Sequence, residues 1–132
     1  MIEQHSLDWY RSRIGRITGS QVGRLMKKGR KDEFGEDAKT YIYQLAAERT
    51  MSPDILIDDI EFEKYLDQVN VETKAMRFGT EMESVARDTY CLLKDVQCEE
   101  VGLCDHFSIE GFSSSPDGLI HTPEGLVALE IK

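Results

Sequence analysis

Thr122-Pro123-Glu124-Gly125 separates two apolar runs, Leu119-Ile120 and Leu126-Val127-Ala128-Leu129, and no other stretch of the chain limits the fold so tightly. Proline presets the second position of a turn and glycine suits the fourth. The run from Gly111 to Lys132 therefore reads as two antiparallel strands joined by a tight turn. A turn centred on Pro123-Glu124 puts residue 117 opposite residue 130, give or take one. Side chains directly opposed on one sheet face have Cβ atoms roughly 4.5–5.5 Å apart. That register brings Asp117 and Glu130 together. Two carboxylates so close repel each other, which raises one pKa or recruits a cation. A hard divalent ion that prefers oxygen ligands, such as Mg²⁺, relieves the conflict.

Strand alternation places Glu130 and Lys132 on one face and turns Leu129 and Ile131 toward the core. A lysine beside a metal-bound carboxylate can orient an attacking water or neutralise charge building on a phosphate. A surface hairpin whose charges pair across strands accounts for the same residues, so the motif needs its context.

A chain of 132 residues with 40% hydrophobic and 31% charged residues fits one soluble globular domain. No apolar stretch approaches the ~20 residues of a membrane span, and the N-terminus lacks a signal-peptide core, so no membrane partner is expected. The three cysteines, Cys91, Cys98 and Cys104, are odd in number and spaced unlike zinc ligands. They read as reduced thiols of an intracellular protein.

A net charge of −9 argues at first against nucleic acid as a partner. The distribution of charge reverses that reading. Arg11, Arg13, Arg16, Arg24, Lys27, Lys28, Arg30 and Lys31 fall in one block that contains no acid, and all 25 acids lie outside it. Such a block is suited to gripping phosphates in one place, although a solvated helix face with a polar loop has the same composition.

Along the chain, Asp8-Trp9-Tyr10-Arg11 opens a short helical turn broken near Gly15. Ile17-Thr18-Gly19-Ser20 reads as the start of a second helix, capped by Thr18 or Ser20, with Val22, Leu25 and Met26 buried. Its N-terminus beside the arginines would seat a phosphate. Lys27 to Gly35 is polar and glycine-punctuated. Asp37 to Met51 is a helix with Ile42, Leu45, Ala46 and Arg49 on one stripe, ended by Ser52-Pro53. Residues 54 to 70 read as a loop or short helix. A long helix comes next, from about Glu72 to Lys94, with Met82, Val85, Ala86, Thr89 and Leu93 as its apolar stripe. Gly79 inside it implies close packing. Glu83 lies at the border of that stripe, where it is either an exposed solubilising residue or leans toward the sheet. Val96 to Leu103 and Phe107 to Phe112 read as strands. Helices first and locally paired strands after them indicate an α/β or α+β domain on a largely antiparallel sheet.

Four blocks in this order resemble the lambda-exonuclease-like (YqaJ-type) viral recombinase nucleases of the PD-(D/E)xK superfamily. They are Trp9-Tyr10-Arg11-x-Arg13-Ile14-Gly15-Arg16-Ile17-Thr18-Gly19-Ser20, Arg77-Phe78-Gly79-Thr80-Glu81-Met82-Glu83, Ser115-Pro116-Asp117-Gly118-Leu119 and Leu129-Glu130-Ile131-Lys132. The resemblance spans Trp9 to Lys132 and implies a single nuclease domain over residues 1–132. Its fold would be a restriction-endonuclease-like α/β core, with a central mixed, largely antiparallel sheet flanked by helices. That core would be C-terminally truncated here, because the family continues past the E-x-K motif with further strands and helices. It also implies roles. Asp117 and Glu130 would be the main metal ligands, joined by Glu83 and by the main-chain carbonyl of Ile131, and Lys132 would position the water nucleophile. Arg13, Ser20 and Ser115 match phosphate-gripping positions, and Arg11 and Arg16 of the basic block join them as phosphate-binding candidates.

The expected activity is 5′→3′ exonuclease digestion of double-stranded DNA by two-metal hydrolysis, with Mg²⁺ as cofactor and Mn²⁺ as an alternative. The expected partners are DNA, a single-strand annealing protein and further copies of the chain in a trimeric ring. The expected setting is the bacterial cytoplasm, with a phage or prophage origin. Another PD-(D/E)xK endonuclease is a competing reading, although the cysteine spacing argues against the iron–sulfur relatives. A nuclease-derived fragment that binds DNA or a protein without cutting is a third.

Overall fold

A computed structural model describes residues 2–31, 33–70 and 73–132. Among these residues six helices and six short strands follow one another as α1 (Leu7–Arg13), β1 (Ile17–Thr18), α2 (Val22–Leu25), α3 (Glu36–Arg49), α4 (Pro53–Ile57), α5 (Asp59–Val69), α6 (Lys74–Lys94), β2 (Cys98–Glu99), β3 (Cys104–Asp105), β4 (Phe112–Ser114), β5 (Gly118–Thr122) and β6 (Gly125–Leu129). The fold is α/β as expected. Its strands, however, form two three-stranded sheets, β1-β4-β3 and β2-β5-β6, where one central sheet was expected. Among the described residues all pairings are antiparallel except β1 with β4. Among the described residues no helix is long and apolar enough to cross a membrane.

The C-terminal hairpin forms as the turn chemistry dictates. Its ladder runs from Thr122↔Gly125 to Gly118↔Leu129, so the next position along β5 is Asp117. Gly125 adopts φ 134, a conformation that disfavours any side chain.

The N-terminal half departs from the sequence reading at two points. Ile17-Thr18 does not start a helix; it pairs in parallel with Phe112-Ser113. Two β-branched residues between glycines fit a pleated edge better than a helical turn. Gly15 (φ 69) brings the chain against Arg49, whose Cγ would lie 2.7 Å from any β-carbon there. The next helix, α2, has only four residues, no side-chain cap at Gln21, and Met26 exposed beyond its end. It is too short to seat a phosphate as a helix N-terminus. Residues 54–70, which read as a loop or short helix, form two helices. Ser52 accepts from Asp54 N with Pro53 at the first helical position, and Asp58 accepts from Glu61 N at 3.0 Å. Ser52-Pro53, which reads as the terminator of α3, is thus the cap and first residue of α4.

The core gathers Trp9, Ala38, Tyr41, Leu45, Phe62 and Ile120, with Thr18 and Ser113 buried among them. On α3 the buried stripe is Ala38-Tyr41-Leu45, so the expected Ile42-Ala46 positions face outward. Tyr41 draws the helix round by hydrogen bonds to Thr18 N and Arg16 O, each at 3.4 Å. On α6 the expected stripe is also displaced: Met82, Val85 and Leu93 are exposed, whereas Glu83, Ala86, Arg87 and Cys91 are half-buried. Gly79 has nothing within 4 Å of a β-carbon position, so close packing does not explain it. Glu72, the expected first residue of that helix, lies outside the described residues. Residues 107–111 turn rather than extend. His106 Nδ1 accepts from Ser108 N (3.2 Å) and Ile109 N (3.0 Å), and Gly111 at φ 76 returns the chain to β4.

Candidate active site

The site is built where α6 crosses the start of β5. Thr73 caps α6 by accepting from Met76 N, and the 21-residue helix ends at Asp95 in the left-handed conformation (φ 52). Glu83 and Arg87, four residues apart, share the inward face. Arg87 Nη1 donates to the Asp117 main-chain oxygen at 2.9 Å, and Nη2 donates to Glu100 Oε2 at 2.9 Å. Its side chain is only 14% exposed. The guanidinium thus ties α6 to both β5 and the segment after β2.

Asp117 is held from three directions. Its main-chain oxygen takes the Arg87 bond. Its Oδ2 accepts from Ile131 N at 2.5 Å, as the hairpin register leads one to expect. The preceding Pro116 carbonyl accepts from Gln4 Nε2 at 2.8 Å, and the same amide donates to Val101 O at 2.6 Å. Glu83 faces Asp117 closely enough for their charges to interact. Burial first, and then the Asp117 charge, raise the Glu83 carboxyl above its ordinary range, while His5 and Arg87 pull it back. His5 Nε2 lies 3.7 Å from Glu83 Oε2, and its ring rests 4.9 Å from that of Trp9. Glu83 therefore leans toward the sheet, as one of its two sequence readings held.

Glu130 and Lys132 lie just beyond the end of β6 and are exposed, with Ile131 half-buried between them. Among the described residues no three His, Cys, Asp or Glu side chains converge on one point that could hold a metal. In donor type the site fits a hard divalent cation: two acids repel each other there, and the hairpin register sets Glu130 and the Ile131 carbonyl across from Asp117.

A second cluster adjoins it. Arg13 Nη1 donates to Ser115 Oγ at 3.2 Å and Nη2 to Ser20 Oγ at 3.3 Å. Trp9 Nε1 also donates to Ser115 Oγ, at 3.1 Å, and the guanidinium stacks over the Trp9 ring at 4.2 Å. Burial lowers the Arg13 pKa, opposed by Tyr10 and Tyr41. Among the described residues no carboxylate pairs with it. Arg11 and Arg16 are placed differently. Arg11 is bound by Asp8 (3.0 Å), Asp59 and the Leu56 carbonyl (2.8 Å), and Arg16 by Asp105. Arg24 and Lys27 of the same block both reach Asp37, whose carboxyl they hold below its ordinary range. The basic block is thus partly neutralised, and Arg13 is the arginine that meets both serines.

Residues 8–132 match the YqaJ-like viral recombinase domain. The chain belongs to that family. Among solved structures, the alkaline exonuclease LHK-Exo from Laribacter hongkongensis is 30% identical, with a TM-score of 0.64 over 88% of this chain and 48% of that one. LHK-Exo in complex with dAMP is 29% identical, with a TM-score of 0.66 over 89% of this chain and 49% of that one. This YqaJ-like chain therefore spans about half the length of the solved relatives it matches. No curated protein matches it in sequence.

Arg87, Gln4 and His5 were not singled out from the sequence. Arg87 could have been: it lies one helical turn after Glu83, on the same face. Gln4 and His5 carried no local signal for the site, since their hydrogen-bond and charge partners are 78 to 112 positions away along the chain and the left-handed backbone of His5 (φ 63) is visible only in the fold.

Proposed function

We propose that this YqaJ-like protein is a metal-dependent exonuclease that removes nucleotides from the 5′ end of double-stranded DNA. One observation carries the reading. Ser115 and Asp117 lie two residues apart, so the arginine–serine cluster and the acid pair occupy one short segment of chain. A terminal phosphate seated on Arg13, Ser20 and Ser115 would set the register of the strand relative to Asp117 and Glu83. Such backbone contacts position DNA without reading its sequence.

Asp117, Glu83, Glu130 and the Ile131 carbonyl would hold the divalent ion, Mg²⁺ or Mn²⁺. When bound, the ion would supply an activated water and neutralise charge on the scissile phosphate. The chain's own residues do the rest. Arg87 fixes the main chain at Asp117, Ile131 N–H orients the Asp117 carboxylate, and Lys132 would orient the water or steady the negative charge. A trimeric ring and a single-strand annealing partner accompany this reading through the family.

The test incubates the intact protein and its Asp117→Asn and Glu130→Gln variants with Mg²⁺ and linear 5′-phosphorylated duplex, nicked circles or covalently closed circles. Degradation of the linear duplex, abolished in both variants with the closed circle intact, is the expected result. Cutting of the closed circle would favour an endonuclease of the same superfamily. Full activity in either variant would overturn the site.

The exposure of Glu130 and the absence of a converged three-acid set among the described residues favour a second reading, a DNA-binding member that does not cut. Binding of 5′-phosphorylated duplex without degradation at any Mg²⁺ or Mn²⁺ concentration would support it.

A further inference from the structure

Two cysteines beside the site are brought together by the fold, although Cys91 belongs to α6 and Cys98 to β2. Three features place them. Asp95 turns left-handed at the end of α6, and Val96 N donates to Cys91 O at 3.1 Å, which folds the following strand back alongside the helix. Cys98 pairs with Ile120, so its side chain shares a sheet face with buried Ile120 and with Gly118. A β-carbon on Gly118 would lie 2.1 Å from Cys98 Sγ and 3.4 Å from Arg87 Cδ, so Cys98 and Arg87 both rest over Gly118. Cys91 sits one helical turn beyond Arg87, on the same face, and therefore against Cys98. Both thiols are free and half-buried. Cys104, by contrast, lies in the other sheet, opposite Ser114.

We propose that Cys91 and Cys98 form a reversible thiol–disulfide pair, a modification site whose oxidant is a low-molecular-weight disulfide of the glutathione class. One protein thiolate attacks the small disulfide and releases one thiol. The second protein thiolate then attacks the mixed disulfide and releases the other. The protein loses two electrons and two protons, and the small disulfide is reduced to two thiols. Burial and the adjoining Cys91 raise the Cys98 thiol pKa, as expected of two facing sulfurs. The bond would staple the last turn of α6 to β2, directly behind Arg87 and Asp117. Disulfides in reducing compartments are typically transient and redox-sensing, which suits a pair that closes so short a loop.

The experiment treats the native intact protein with oxidised glutathione, alkylates free thiols, and digests with trypsin and a glutamyl endopeptidase. The second enzyme cuts at Glu99 and Glu100 and so separates Cys98 from Cys104. The expected product is peptide 88–94 joined to peptide 95–99, present in wild type and C104S, absent in C91S and C98S, and released by dithiothreitol. Slower hydrogen exchange across residues 91–98 in the oxidised form is the second expected readout. Cys98 joined to Cys104 would overturn the pairing. So would Cys91 and Cys98 recovered fully alkylated, or each carrying glutathione as the end product.

Discussion

Arg13 and Ser115 stand 102 positions apart in sequence, yet the guanidinium of one donates to the hydroxyl of the other at 3.2 Å, with Trp9 closing the same oxygen from the side. This contact ties α1 to the segment that carries Asp117. It also leaves a cation facing only hydroxyls and an aromatic ring among the described residues. Arginine suits such a post because its planar fork can meet both serines and a phosphate, which a lysine cannot do.

Replacing Arg13 should therefore separate two kinds of DNA end. A charged hydrogen bond contributes about 1.5–3 kcal/mol, so Arg13→Met should weaken binding of 5′-phosphorylated duplex roughly 10- to 100-fold. Binding of the 5′-hydroxyl duplex should fall much less, and Arg13→Lys should recover only part of the difference. Fluorescence anisotropy at fixed salt measures both. Equal losses for the two ends would remove Arg13 from the phosphate seat.

Arg87→Met should act on stability before anything else. It removes two hydrogen bonds from a largely buried guanidinium and leaves the Asp117 carbonyl and Glu100 without that partner. Leaving one such group unsatisfied costs about 1–3 kcal/mol. Urea unfolding with an unchanged m-value measures it. A neutral result would mean that water replaces the guanidinium without cost.

Gly118→Ala should be destabilising because the new methyl would overlap Cys98 Sγ. Overpacking of this kind costs about 1–3 kcal/mol. The double variant Gly118→Ala, Cys98→Ala removes the overlap and should recover most of the loss, giving a large favourable coupling in a double-mutant cycle. Additive effects would show that Cys98 does not rest on Gly118.

The hairpin and its register were legible because turn chemistry and strand alternation are local, and Asp117, Glu130 and Lys132 came with them. Other parts were decided by distant partners. Met82 and Val85 follow a helical period well, but α6 turns Arg87 inward because the Asp117 carbonyl and Glu100 hold its guanidinium there, and Glu83, four residues earlier, shares that face. Ile17-Thr18 looks like a helix start until Phe112-Ser113 offers it a ladder. Arg11 and Arg16 looked like free cations until the fold brought Asp59 and Asp105 to them. Spacing along a chain says which groups share a face; it does not say which face wins the partner.

Tyr65 provides a test of the α3–α5 contact that needs no ligand. Its hydroxyl donates to Glu48 Oε1 at 3.4 Å, and its ring stacks with buried Phe62 at 6.0 Å. Burial first, and then the Glu48 charge, push its pKa up to about 12. An unfolded tyrosine ionises near 10. The folded state therefore binds this proton more tightly, and the stability it contributes is fully present below pH ~10 and lost as pH rises from about 10 to about 12. Phenolate absorbance should show a late step from Tyr65. Tyr65→Phe should remove that late step and flatten the fall in thermal midpoint across the same window. If the variant keeps the wild-type alkaline slope, the proton responsible belongs to another group and the Glu48–Tyr65 contact does not govern it.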